Sequence, residues 1–187
     1  MPHIKLEDHL PGVTGLLEYR KDTSTPLREL TQILLRGPSS LSEADREMIA
    51  ALVSHKNKCV YCATSHTAAA NAYLQEEETL NLVKQDISTS PISNKMKALL
   101  TIAAQVQVSG REVSADAIDK AKSAGATDME LHDTVMIAAL FCFYNRYVDG
   151  LATIAPTDPE YYSSMAVRLK EKGYYRPEDG YAHLKNK

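Results

Sequence analysis

The sequence predicts an all-α fold, and three observations carry that reading. Apolar residues recur at intervals of three and four, as in Leu27, Leu30, Ile33 and Leu34, which lines them up on one helical face. Helix-start signals recur along the chain: Ser24-Thr25-Pro26, Ser42 with Asp45, Thr127 with Glu130, and Thr157-Asp158-Pro159. No segment alternates apolar and polar residues with β-branched side chains over the length of a strand. A helical bundle follows.

The elements can be justified in chain order. Pro26 suits the first position of a helix that Gly37 stops. Ser42 and Asp45 resemble a capping box, with Asp in place of the usual Glu, opening a helix over Glu43 to His55 whose apolar positions are Met48, Ile49, Leu52 and Val53. Lys56-Asn57-Lys58 is a polar break, and Cys59 to Leu74, Ala-rich and free of Pro and Gly, is the next helix. A shorter helix over Glu76 to Val83 precedes a loop rich in Ser, Thr and Pro over Ile87 to Asn94. Lys95 to Val108 forms a helix closed by Gly110, and Ser114 opens a short one stopping near Gly125. Thr127 and Glu130 make a full capping box before a long helix reaching Asp149. Asp158-Pro159 starts a last helix ending at Gly173. The polar tail, Tyr174 to Lys187, either docks on a neighbouring surface or stays loose. Met48-Ile49-Ala50-Ala51-Leu52 recurs as Met136-Ile137-Ala138-Ala139-Leu140, which is consistent with two related helical halves.

At 187 residues the chain suits one domain, with a core over about 10–155 and a C-terminal helix and tail over 156–187. There is no Trp and only two Phe, so the core must rest on Leu, Ile, Val, Ala and Met. The formal charge is -3 and Lys and Arg form no cluster, which argues against a nucleic-acid partner. The first ten residues hold Lys5, Glu7, Asp8 and two His, and do not read as a signal peptide. The longest apolar run, Val135 to Tyr144, is far short of the ~20 residues of a membrane span. A cytoplasmic protein with no membrane partner is the expectation. Three cysteines do not make a secreted disulfide framework; in a reducing compartment a close pair points to redox chemistry or metal binding.

The informative stretch is Cys59-Val60-Tyr61-Cys62-Ala63-Thr64-Ser65-His66. Residues three and four apart share one helical face, so both thiols and the imidazole fall on one stripe. Helix rise and radius put two cysteines one turn apart at a Cα separation of roughly 5 Å, within disulfide range. A helix N-terminus favours a thiolate, which makes a depressed thiol pKa the expectation; nearness to the terminus favours Cys59, the neighbouring His66 favours Cys62, and the sequence does not weigh the two. His66 lies one turn beyond Cys62, and Glu47, on the preceding helix, can return across a short hairpin to pair with it. Thiol, base and carboxylate form a set that activates a nucleophile. Two alternatives stay open. Zinc could be held by Cys59, Cys62 and His66 with Glu47 or His55, although structural zinc usually recruits a second Cys/His pair. Alternatively, the cysteines and His66 belong only to the core. Covalent haem attachment needs His directly after the second Cys, where Ala63 stands.

Glu47, Cys59-Val60-Tyr61-Cys62 and His66, at these spacings, resemble the active-site pattern of the alkylhydroperoxidase AhpD-like proteins, within the carboxymuconolactone decarboxylase-like superfamily. Leu41-Ser42 through Arg46-Glu47 is similar to the usual lead-in, and Phe143-Tyr144-Asn145-Arg146 with Asp149 and Leu151 resembles the tail motif of the peroxidase-related branch. The resemblance spans roughly residues 10 to 155. It implies an AhpD-like helical bundle assembled as a trimer or hexamer, and thiol-dependent reduction of hydroperoxides. It implies Cys62 as the peroxidatic thiol, Cys59 as its resolving partner, and Glu47 with His66 as the proton relay. A lipoyl-bearing or thioredoxin-like dithiol would be the reductant, and neither a metal nor an organic cofactor is needed. The best-known members carry His before the second cysteine; this chain has Tyr61, a phenol that is a poor base near neutral pH. A lactone decarboxylase belongs to the same superfamily and is the alternative enzyme, but decarboxylation has no need of a dithiol.

Other residues carry weaker expectations. Cys142 reads as a buried packing residue, His132 as solvated or capping, and His55 as a minor tuner of the dithiol. Arg146 suits a buried or subunit-contact ion pair, and Tyr161, Tyr162, Tyr174 and Tyr175 suit a subunit interface.

Overall fold

The chain winds around one helix, Glu43–Lys56. In the computed structural model, which describes residues 1–185, this third helix is buried on every side from Arg46 to Ser54. In chain order the elements are α1 (Gly12–Tyr19), α2 (Lys21–Arg36), α3 (Glu43–Lys56), α4 (Val60–Leu74), α5 (Glu78–Gln85), α6 (Asn94–Val108), α7 (Ala115–Ser123), α8 (Asp128–Gly150) and α9 (Pro159–Lys172). Among the described residues there are two short 3-10 turns besides and no strand, so the fold is all-α as expected. None of the described helices is long and apolar enough to cross a membrane.

α3 packs against α2, α4, α5, α6 and α8. Met48, Ile49, Leu52 and Val53 join Leu99, Leu100 and Ile102 of α6 and Ile137 and Phe141 of α8 in the main core. A helix covered all round carries small residues where its neighbours come close, and Ala50 and Ala51 fill that role. Each fully buried Ile, Leu or Met side chain contributes roughly 1.5–3 kcal/mol relative to exposure. A second cluster joins Leu16 of α1, Cys59, Tyr61, Cys62, Val148 of α8 and Tyr162 of α9, so the dithiol is itself part of a core.

Local signals explain most helix starts. Ser42 and Asp45 close a reciprocal capping box at α3, and Thr127 and Glu130 do so at α8. Ser93, Ser114 and Asp158 cap α6, α7 and α9 with their side chains. At the other end of α2, the buried Arg46 guanidinium donates to the Leu34 and Gly37 carbonyls at 3.3 and 2.8 Å, satisfying groups the helix end leaves free.

Two elements differ from expectation. α2 begins at Lys21, not Pro26, which lies inside it. Pro26 has no N–H to give its i−4 carbonyl. The hydroxyls of Thr23, Ser24 and Thr25 donate to the Arg20 and Lys21 carbonyls at 3.1–3.2 Å, supporting an extra turn before it. α1 was not expected at all: its eight residues include Gly12 and Gly15 and carry no capping signal. It forms because Leu16 and Leu17 are buried against the rest of the chain. The tail after α9 docks on its own chain: Tyr181 is 3% exposed and accepts a hydrogen bond from Arg28.

Replacing Ile49 by Ala, at the centre of α3, is expected to cost about 2–5 kcal/mol. Urea unfolding checks this, and a loss below ~1 kcal/mol would contradict the central role of α3.

Candidate active site

α3 and α4 form a hairpin whose turn sets the dithiol. Lys58 takes a left-handed φ of +61°, and the Cys59 N–H returns to the Ser54 carbonyl at 3.1 Å. A non-glycine residue there is uncommon, and such strain is often kept beside functional groups. Cys59 is the N-cap of α4 and Cys62 lies in its first turn. Both are free thiols, 0% and 2% exposed. Both pack in the same small buried cluster with Leu16, Tyr61, Val148 and Tyr162.

The thiol pKa departs from expectation. Cys62 is pushed well above its ordinary range: the hydrogen bond with Cys59 raises it most, and burial and the Cys59 charge add to this. The Asn145 side chain works in the opposite direction. Asn145 is held in place: its amide donates to Ser54 Oγ at 3.0 Å and its carbonyl accepts from Asn57 at 2.8 Å.

The second part of the site is a buried carboxylate. Glu47, on α3, is fully buried, and its Oε2 lies 2.7 Å from His66 Nδ1. Its Oε1 accepts from Arg36 of α2 at 2.6 Å and from the Tyr174 phenol at 2.5 Å. Burial alone would raise this carboxyl, but His66, Arg36 and Tyr174 together hold it below the usual range. The Tyr174 ring stacks on His66 with centroids 6.2 Å apart, and its own pKa is raised by burial and by Glu47. His66 also meets the edge of Phe141 at 4.4 Å.

Cys62 and His66 line one small cavity of about 70 Å³, together with Ser65, Phe141, Tyr144 and Tyr174. Cys59 instead helps wall a groove of about 440 Å³ on the other side, with His55, Lys58, Val60 and Lys84. The thiol pair therefore spans the wall between an inner cavity and an outer groove.

Tyr61 stays out of the Glu47–His66 pair. Its hydroxyl contacts Thr14 at 3.4 Å and Tyr161 at 3.2 Å, and its ring packs so closely on Gly12 that a Cβ there would lie 2.3 Å from it. The phenol that joins the pair is Tyr174, from the segment that follows α9. It lies 108 residues from His66, and no local pattern announces it. Asn145 belonged to a recognised motif but had no role assigned to it.

Several weaker expectations change. Three of the four tyrosines expected at an interface pack inside this chain: Tyr161 and Tyr162 against Tyr61, and Tyr174 at Glu47. Arg146 is exposed and donates to the Cys142 carbonyl of its own helix at 3.0 Å, so it is not in a buried ion pair. Cys142 is only partly buried. His132 is exposed beside Asp133, and His55 is exposed with its pKa lowered chiefly by partial burial. The zinc alternative needs Cys59, Cys62 and His66 to converge with Glu47 or His55. Among the described residues no three His, Cys, Asp or Glu side chains are so grouped.

The depressed Glu47 carboxyl has a consequence for acid stability. Its folded value lies below its ordinary 4.5, so the stabilisation is complete above that pH and is lost as pH falls through the folded value. Unfolding by urea from pH 7 to pH 3 should show this loss. Glu47→Gln should begin ~3–5 kcal/mol less stable, because Arg36 is left buried and unpaired, and should have a shallower acid slope. Equal slopes in both proteins would contradict a depressed carboxyl.

Comparison with known proteins agrees with this architecture. Residues 23–83 match the model of the carboxymuconolactone decarboxylase family. None of the curated proteins matches the sequence. Two crystal structures are similar to this chain: an uncharacterized peroxidase-related protein from Silicibacter sp. TM1040, and the alkylhydroperoxidase AhpD core of an uncharacterized peroxidase-related protein from Ralstonia eutropha JMP134. Each has a TM-score of 0.74 and 24% identity, over 83% of this chain and 80% of that one. The matched segment runs from α2 through most of α5 and contains Glu47, both thiols of the pair and His66. Residues 23–83 thus match the carboxymuconolactone decarboxylase family model, within a chain whose all-helical fold is similar to that of the AhpD core structure.

Proposed function

We propose that this protein is a thiol-dependent peroxidase that reduces hydroperoxides through Cys59 and Cys62. The observation that carries the reading is the meeting of a dithiol with a buried base pair: Cys62 packs in one cluster with Cys59 and shares its cavity with His66, itself bonded to Glu47. A purely structural pair of cysteines would not need a buried charged carboxylate and imidazole beside it.

The cycle balances as follows. Cys62 is a thiol at neutral pH, so a base must take its proton. With Nδ1 engaged by Glu47, Nε2 of His66 is the nitrogen left to do this. The sulfur attacks the terminal oxygen of ROOH, the O–O bond breaks, and Cys62 becomes a sulfenic acid. The alkoxide leaves with the proton as ROH, reduced by the two electrons the sulfur lost. The Cys59 thiol then displaces water from the sulfenic acid and the intrahelical disulfide forms. An external dithiol, lipoyl-bearing or thioredoxin-like, restores both thiols and is itself oxidised to a disulfide. The outer groove with Lys58, Lys84 and His55 gives that donor a side of approach separate from the peroxide.

Assembly as a homo-oligomer belongs to the same reading. Exposed Phe143, Val60 and Ile154 are apolar side chains that a subunit contact would cover. The family match supports a second reading, a lactone decarboxylase, in which the dithiol is dispensable.

Thiol titration before and after one equivalent of hydroperoxide tests the proposal. The wild type should lose two thiols, regain them with a dithiol, and consume peroxide catalytically. Cys62→Ser and Cys59→Ser should each lose at least ~100-fold in turnover, as expected when one member of a nucleophile set is removed. Full activity in both variants, or decarboxylation of a carboxymuconolactone that survives loss of both cysteines, would replace this reading with the second.

The raised Cys62 thiol also fixes a pH trend. The first oxidation step should accelerate from pH 6 to pH 9, by up to about tenfold per unit, because only the thiolate attacks. A stopped-flow rate flat across that range would mean that Cys62 is not the attacking sulfur.

A further inference from the structure

The Cys62 cavity contains polar atoms that the protein itself leaves unused. Arg28 and Ser65 both line it, are 8% and 3% exposed, and present a buried Nε and a buried hydroxyl with no hydrogen-bond partner. Buried polar groups are normally paired, so two orphans in one cavity wall point to an absent ligand. Arg28 is also short of negative charge. Its Nη1 donates to the Tyr181 phenol at 2.7 Å, and its one carboxylate contact, Nη2 to Glu18, is long at 3.4 Å. Glu18 is engaged more tightly by Arg176, through three bonds of 2.8–3.0 Å.

The surroundings agree in sign. A larger cavity of about 310 Å³ shares Thr14, Met165, Arg168 and Tyr181 with the inner one, and no Asp or Glu lines either among the described residues. Arg168 adds a second guanidinium to the inner cavity and also lines the larger one. The remaining inner wall is largely apolar, with Val13, Leu17, Phe141 and Leu169. A space of about 70 Å³ holds a ligand of roughly five to seven non-hydrogen atoms, judged by the ~10–15 Å³ one water needs.

Resting on the peroxidase reading above, we propose that this cavity selects short hydroperoxides that carry a carboxylate. Arg28 holds the carboxylate, whose planar pair of oxygens suits a guanidinium. Ser65, one turn beyond Cys62 and next to His66, donates its hydroxyl to the peroxide end. The step is unchanged: Cys62 sulfur takes the terminal oxygen, the O–O bond breaks, and the hydroxy acid leaves with the proton from His66. Arg28 is then a specificity residue and Ser65 a contact to the reacting oxygens.

The test compares a short hydroperoxy carboxylic acid with its methyl ester, which has the same carbon chain and no charge. Wild-type kcat/KM should favour the acid by about 10- to 100-fold, the range of one charge-assisted hydrogen bond. Arg28→Gln should bring the ratio close to one and change the ester rate little. Ser65→Ala should slow both substrates alike and keep the ratio. A wild-type ratio near one, or a ratio unchanged in Arg28→Gln, would overturn the proposal. So would equal losses on both substrates in Arg28→Gln, because a displaced tail would act on both. A second measurement separates this proposal from the peroxidase reading: calorimetric binding of the saturated carboxylate of the same length, without peroxide. If neither hydroperoxide is turned over but the carboxylate binds wild type and fails to bind Arg28→Gln, the carboxylate site stands and the peroxidase reading falls. Absence of carboxylate binding to the wild type would overturn the site itself.

Discussion

The constraint that organises this molecule is the charge on Glu47. A carboxylate with no solvent contact is costly to hold unless every lone pair has a partner. Here the partners come from three other parts of the chain: Arg36 on α2, His66 on α4 and Tyr174 beyond α9. Arg36 is itself placed with care. It lies between the rings of Tyr73 and Tyr174, at 5.1 and 4.9 Å, and donates to the Leu169 carbonyl of α9. One charge thus fixes where α2, α4 and the tail meet α3. The imidazole that faces Cys62 inherits its orientation from that arrangement.

The dithiol depends on different forces. Cys59 and Cys62 are packed as apolar groups in the smaller core, beside Leu16, Val148 and Tyr162. The neighbouring Cys59 and burial push the Cys62 thiol above its ordinary range. Asn145 is the one neutral donor set against that trend, and its amide is fixed by Ser54 and Asn57 at the α3–α4 turn. The turn that brings the sulfurs together therefore also positions the group that favours their ionised form.

Legibility in the sequence followed the distance over which each determinant acts. The capping boxes at Ser42 and Thr127 lie within four residues, and both were readable. The Cys59, Cys62 and His66 stripe is a property of one helix, and Glu47 is one hairpin away, so the sequence could propose their meeting. Pro26 misled because hydroxyls on Thr23, Ser24 and Thr25 extend the helix past the point where a proline would start it. α1 is held by tertiary contacts and has no signal of its own. Tyr174 and Arg28 come from regions with no motif, and only folding places them at the cavity. The direction of the Cys62 shift was also hidden, because a helix terminus is visible in a sequence and the depth of a core is not.

Cys59 is the N-cap of α4, yet its side chain makes no capping hydrogen bond. The first turn is held instead by the Ala63 N–H on the Cys59 carbonyl at 2.9 Å. A sulfur–sulfur bond between the cap residue and the first turn would join two positions that this backbone hydrogen bond already holds together, without breaking it. The oxidised protein would be locally stiffer than the reduced one at that end, while every helix keeps its place.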